Sequence, residues 1–222
     1  MSGLIQDIII ENHKLYFRDF PWRSKHDPYM ILIAEFMLQR TKAHQAAPVY
    51  LEFIRRYPDV ETLSSASYNI LSTLTGHLGL HWRSSHFIDA AKYIVNNLNG
   101  KIPKCRKILS KIPGVGEYTA GAILTLCFNL PEHVIDSNIA RFINRIYNLG
   151  LSGEIRRKRV VKEKAVELFN YKHTRNFLFS LLDFTALVCK LNRPYCGICV
   201  VKEFCGYFDQ TPSISAAANI SG

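Results

Sequence analysis

Four of the six cysteines in this 222-residue chain, Cys189, Cys196, Cys199 and Cys205, fall close together as C-x6-C-x2-C-x5-C. Thiolates gathered this densely suit a tetrahedral centre, either a [4Fe–4S] cluster or a structural zinc ion. Zinc sites ordinarily show two close pairs, and only one C-x2-C pair is present, so the spacing favours the cluster with zinc as the alternative. Lys190, Arg193 and Lys202, in and around the same loop, are placed to touch a nucleic-acid backbone. Cys105 and Cys127 lie upstream in apolar helical context. Cys127, within ILTLCFNL, reads as a small buried hydrophobe.

A second group with chemical potential is the segment LSKIPGVGEYTA, residues 109–120. A short helix runs into Pro113-Gly114-Val115-Gly116, and another begins near Glu117. The two glycines permit a tight turn with positive φ and leave backbone N–H groups uncovered. Those groups, with the following helix N-terminus, can receive a phosphate oxygen without any side chain. A G-x-G alone would be an ordinary helix corner. An apolar residue, then P-G-V-G, then a small-residue helix is the helix–hairpin–helix signature of sequence-nonspecific DNA binding.

Two acids and one basic run complete the candidates. Asp136, in His133-Val134-Ile135-Asp136-Ser137-Asn138, reads locally as a helix N-cap, a position that also keeps a carboxylate ionised. Glu35 sits in the apolar run Ile33-Ala34-Glu35-Phe36-Met37-Leu38. Such a charge must be paired, because burying it alone is costly, and Arg23 or backbone is the expected partner. The run IRRKR, from Ile155 to Arg159, falls at a helix start and suits a solvated surface and a phosphate contact equally.

These side chains need a scaffold, and the pattern around them is helical nearly throughout. Apolar residues recur three and four apart in 29–39, 46–57, 85–98, 119–128, 138–147, 159–169 and 176–189. Punctuation falls between them at Arg23-Ser24, Tyr57-Pro58, Asn99-Gly100, Pro113-Gly114, Leu130-Pro131 and Gly150 to Gly153. Alternating runs long enough for a sheet are absent, so the fold class is all-α. A hydrophobic content of 48% is ample for a core. Lys plus Arg (28) exceeds Asp plus Glu (18), so 28 − 18 = +10, which excludes an acidic disordered chain and points to a polyanionic partner. No apolar run reaches the roughly 18 residues of a membrane span. The start, MSGLIQDIIIENHK, lacks a basic n-region, so a secretory signal is not expected. Cysteines without such a signal fit an intracellular, reducing location. The segment TPSISAAANISG, residues 211–222, is small and uncharged and is expected to be loosely ordered.

The hairpin, the VIDSN segment at 134–138 and the cysteine loop occur in one order with fitting gaps. Together they resemble the helix–hairpin–helix (HhH-GPD) DNA glycosylase superfamily that includes endonuclease III, over about residues 20–208. The stretch FPWRSKHDPYMILIAEFMLQRT, residues 20–41, resembles the mismatch branch. Its members are adenine glycosylases acting opposite damaged or normal G, and thymine/uracil glycosylases acting opposite G. The resemblance implies two helical lobes with the active-site cleft between them. One lobe, 21–130, is of the six-helix type and carries the hairpin. The other combines 1–20 with 131–208 and holds a [4Fe–4S] cluster on the four cysteines; 209–222 is a flexible tail. Asp136 would lie at the lobe junction on the hairpin side as the catalytic carboxylate.

The resemblance also assigns roles and a departure. Bifunctional members carry a lysine at the position of Tyr118, which attacks C1′ and forms a Schiff base. A phenol cannot form an imine, so water must attack and little or no strand cleavage is expected. The adenine branch tends to have serine there, whereas tyrosine is what thymine-DNA glycosylases of the mismatch branch show. Glu35 would line the base pocket. Gln39 matches the polar gap-filler left by an everted base, and Arg40 departs from the Gln-Gln of adenine members. Leu80 and His81 sit where related enzymes insert a wedge. Gly114, Val115 and Gly116 would hold phosphate, with Lys111 and Arg83 as further contacts.

The first expectation is therefore a monofunctional glycosylase removing thymine or uracil opposite guanine, a monomer acting on duplex DNA with G-containing mismatches. An adenine glycosylase is the alternative, disfavoured because the sequence ends soon after Cys205 where adenine members carry a further domain. A DNA-binding module without catalysis is the third reading, and the presence of both Asp136 and Glu35 weighs against it.

Overall fold

The computed structural model describes residues 3–79 and 84–210, and among these every regular element is helical. In chain order the α-helices are α1 (Leu4–Glu11), α2 (Pro28–Leu38), α3 (Ala43–Arg56), α4 (Val60–Ser64), α5 (Tyr68–Gly76) and α6 (Ser84–Leu98). There follow α7 (Arg106–Leu109), α8 (Glu117–Phe128), α9 (Ser137–Ile146), α10 (Arg159–Phe169), α11 (Thr174–Leu187) and α12 (Gly206–Asp209). Short 3-10 turns occur at His13–Leu15, Ile155–Arg157, Cys196–Ile198 and Lys202–Phe204. No described helix is long and apolar enough to cross a membrane. The chain divides into two compact units, Asp19–Phe128 and the residues up to Arg18 together with those from Asn129 onward.

Within Asp19–Phe128, α2 is the central helix. Asp27 caps it by accepting from the Met30 amide at 2.9 Å, and Pro28 starts it, where a missing N–H costs nothing. Residues 31 to 37 are then buried without a break, so no face of the helix is left for water. It packs on α3 and α8. In α8 the same continuous burial runs from Thr119 to Leu126, and Ala120, Gly121 and Ala122 keep that surface low enough for close approach. Phe36, Phe53 and Phe87 meet edge-on or tilted, with ring centres 5.5 and 5.1 Å apart, and fill the space toward α6.

In the other unit, α11 carries the core face, with α1 and α9 packed on it and α10 and α12 against α9. A buried carboxylate ties the N-terminal segment down. Asp183 is fully buried and accepts from Arg18 Nε at 2.6 Å, pairs with His13 Nε2 at 2.9 Å and takes the Arg18 amide at 3.2 Å. With several donors on one buried carboxylate, removing any partner would strand charge in the interior.

The seven periodic helices read from the sequence are all present, as is the short helix read ahead of the hairpin (α7), whereas α4, α5 and α12 were not singled out. Two cysteine readings are corrected. Cys105 is an exposed residue at the N-terminus of α7, and Cys127, in the last turn of α8, is only partly buried. The helix periodicity placed Cys127 on an apolar stripe, but the stripe frays where the helix ends. The last helix runs to Asp209, one residue into the segment read as tail; residues 211–222, like Leu80, His81 and Arg83, lie outside the described residues.

Candidate active site and cysteine loop

The hairpin joins α7 to α8. Ile112 and Val115 are buried, and the Val115 amide donates to the Ile112 carbonyl at 3.0 Å, closing the turn. Gly114 has φ +80°, and a Cβ there would stand 3.1 Å from the Phe36 ring. Only glycine satisfies both conditions. The expectation of positive φ at both glycines is corrected for Gly116, which lies outside that region and faces open space. Val115 N–H is used inside the turn. Among the described residues the amides of Gly114 and Gly116 have no such internal partner, and they are the ones left for an anion. Lys111 is exposed beside them. Arg106 braces the hairpin by donating to the Glu117 carbonyl at 3.1 Å.

In the same unit, Glu35 is 7% exposed on α2 and Tyr118 is partly buried in the first turn of α8. α2 ends at Gln39, and Arg40 takes the left-handed region at φ +57°, an unfavourable conformation for a side-chain-bearing residue. The strained turn leaves Arg40 exposed and Gln39 partly so.

Asp136 is the N-cap of α9, accepting from the Ile139 amide at 2.7 Å. Its side chain is partly exposed, anchored by the fully buried Val134 and Ile139 on either side. Burial raises its carboxyl above the ordinary Asp value. The Ile139 and Asn138 amides and the Arg141 and Arg156 guanidiniums act against that rise. The carboxylate is thus held by donors while being desolvated, a combination suited to a group that must remain basic and touch a ligand.

Two arginines that sequence reading left unassigned run from this carboxylate's helix to the cysteine loop. Arg141 is buried and donates to Asn138 Oδ1 at 2.8 Å, Thr185 O at 2.8 Å and Cys189 O at 2.7 and 3.0 Å. Arg145, one turn on, donates to Lys190 O at 2.6 Å and Leu191 O at 3.0 Å, approaches Cys189 Sγ at 3.5 Å and stacks over Tyr207. The sequence carried no signal for them: at about 100° per residue both fall on the side of α9 away from the stripe Ile139, Phe142, Ile143 and Ile146, where a charge reads as surface.

All four loop cysteines line one pocket, with Phe142 and Phe184 at its apolar side. Burial pushes the Cys199 thiol up to about 12, and the thiols of Cys189, Cys205 and Cys196 push the same way. Cys196 and Cys205 are raised likewise, burial first. A bound cation reverses this balance and holds the sulfurs as thiolates. Four sulfurs around one pocket are a donor set for a [4Fe–4S] cluster or a zinc ion.

Residues 33–170 match the family described as HhH-GPD superfamily base excision DNA repair protein. The chain is 33% identical to a thymine-DNA glycosylase of Aeropyrum pernix, spanning 90% of this chain and 92% of that one. It is 34% identical to an adenine DNA glycosylase of Buchnera aphidicola subsp. Baizongia pistaciae, but spans only 57% of that protein's length. The solved structure of a thermostable thymine-DNA glycosylase superposes with a TM-score of 0.87 over 94% of this chain and 96% of its own, at 29% identity. With its helical fold, hairpin and capped aspartate on that background, this chain belongs to the HhH-GPD superfamily of base excision DNA repair proteins.

Proposed function

We propose that the protein is a monofunctional DNA glycosylase that removes thymine or uracil mispaired with guanine. The observation that carries this reading is the likeness to a thymine-DNA glycosylase over nearly the full length of both chains. Tyr118 supports it, because no amine stands at the position after the hairpin where bifunctional relatives form an imine.

In this reading one lobe, 21–130, grips the phosphate backbone through the Gly114 and Gly116 amides and Lys111. Gln39, with Arg40, fills the gap left by the everted nucleotide, with Leu80 and His81 acting as the wedge. Everting the base costs a few kcal/mol of stacking, least at a mismatch. Glu35 and Tyr118 bound the base, Glu35 through the pyrimidine edge or an ordered water. The other lobe, 1–20 with 131–208, supplies Asp136. As the C1′–N1 bond breaks, the pyrimidine leaves with the electron pair and positive charge develops on the sugar. Asp136 stabilises that charge and takes a proton from the water whose oxygen bonds to C1′. The product is an abasic site with an intact strand.

Cys189, Cys196, Cys199 and Cys205 would hold a [4Fe–4S] cluster whose contribution is structural, fixing the loop that carries Lys190, Arg193 and Lys202 against DNA. The partner is duplex DNA with a mismatched guanine, and the protein acts as a monomer inside the cell.

Single-turnover reactions on T·G, U·G, A·G and A·8-oxoguanine duplexes, with and without alkali, test the reading. Product from T·G and U·G that appears only after alkali is the expected result. Product confined to adenine substrates would replace it with the adenine reading, and binding without product would leave a DNA-binding module.

A further inference from the structure

The basic run after α9 has no part in the mechanism above. The 3-10 turn Ile155–Arg157 packs on both α9 and α10, and Arg156, Arg157, Lys158 and Arg159 are all exposed. Arg159 is taken by Glu163 on its own helix at 2.7 Å. Arg156 stands apart because the turn that carries it packs on α9, the helix that Asp136 caps, and its charge acts on the Asp136 carboxyl. It is also gripped from one side by Glu154, which accepts from Arg156 Nε at 2.8 Å, Nη2 at 2.5 Å and the backbone amide at 3.3 Å.

We propose that Arg156 receives a phosphate flanking the everted nucleotide, exchanging Glu154 for it. This rests on the reading of Asp136 as the carboxylate that meets C1′. A deoxyribose seated there carries a phosphate on each side, and the turn bearing Arg156 packs on the helix that Asp136 caps. The guanidinium fork that now matches two carboxylate oxygens matches two phosphate oxygens equally well. The Glu154 pair is readily given up, since its side chains are 44% and 50% exposed and such pairs contribute little to stability. Until DNA arrives, Glu154 keeps the guanidinium oriented. The exchange places a positive charge on the strand being cut from its base, and not on the opposite strand.

The test uses a T·G duplex whose thymidine carries 2′-fluorine, so that binding is read without turnover, together with methylphosphonates placed singly at the phosphates 5′ and 3′ to it. Arg156→Gln is expected to weaken binding by roughly tenfold and to reduce the slope of log K against log salt by about 1. One of the two methylphosphonates should cost the natural chain a similar factor and cost Arg156→Gln nothing further. Glu154→Gln keeps an acceptor for the turn but frees the guanidinium, and should tighten binding at low salt. An unchanged salt slope in Arg156→Gln, or methylphosphonate penalties that add fully to the mutation, would overturn the proposal. If the natural chain excises bases while Arg156→Gln binds like it, the phosphate contact alone is wrong. If the natural chain excises nothing from any mismatch, the glycosylase reading itself has failed.

Discussion

Replacing Asp136 by asparagine and by alanine separates the two tasks of this side chain, capping α9 and serving the sugar. Asparagine keeps an oxygen for the Ile139 amide, which Asp136 now engages at 2.7 Å, and asparagine is itself a good cap. Alanine deletes the bond, a loss of about 1 kcal/mol, or about 2–4 °C in Tm for a chain of this size. The charge adds a pH dependence of definite sign. Burial raises the folded carboxyl above its unfolded value of about 3.9. Between those two values the native state binds more protons than the unfolded one. Stability therefore falls as pH rises through that window and stays lower above it. Asp136→Asn removes this cost and should melt at or above the natural chain at pH 7, whereas Asp136→Ala should melt below Asp136→Asn. Both should lose excision by about 10²–10⁴-fold, the range for a general base. In the natural chain the rate should fail on the acid side at a higher pH than an ordinary aspartate would impose. Single-turnover excision on T·G, with thermal melts at pH 5 and pH 8, reads all of these. Activity of Asp136→Asn within a few-fold of the natural chain would reduce Asp136 to a helix cap. Equal melting of the two variants would refute the capping energetics.

Three further outcomes are expected. Tyr118→Lys should yield a borohydride-trapped covalent complex with DNA; no trapping would mean that this position does not reach C1′. Gly114→Ala forces a side chain to φ +80° against Phe36, so it should cost about 1–2 kcal/mol from the backbone alone, while Gly116→Ala, in open space, should leave melting unchanged and weaken DNA binding. Cys199→Ala should purify with less iron per chain and a lost visible absorbance, whereas equal zinc in both proteins and no iron would reverse the choice of metal.

Helix existence was legible where the apolar period ran for three turns or more, as in α2, α8 and α11. It was not legible in α4 and α12, whose five and four residues are too few to show a period and are held by packing on α6 and α9, while α7 was legible only through the hairpin motif that follows it. Asp136 was legible as a cap from Asp-Ser-Asn before a helix. Glu35 was legible as a buried acid because its neighbours are all apolar. Cys127 misled because periodicity says which side of a helix a residue faces and nothing about whether the covering element reaches the last turn. Arg141 and Arg145 were read past because charge suggests surface. Their carbonyl partners come from residues more than forty positions away and exist only once α9 lies against the end of α11.

Residue type and spacing by themselves determined the helical class, the hairpin, the four-thiol set and the absence of an imine-forming amine at 118, because each depends on neighbours along the chain. The tertiary structure alone decided which hairpin amides stay open, that burial raises the Asp136 carboxyl, that all four thiols share a pocket, and that the turn bearing Arg156 packs on α9 with Glu154 holding the guanidinium. Those are properties of atoms brought together across long stretches of sequence. Burial and field strength depend on distance through space, which no local pattern encodes.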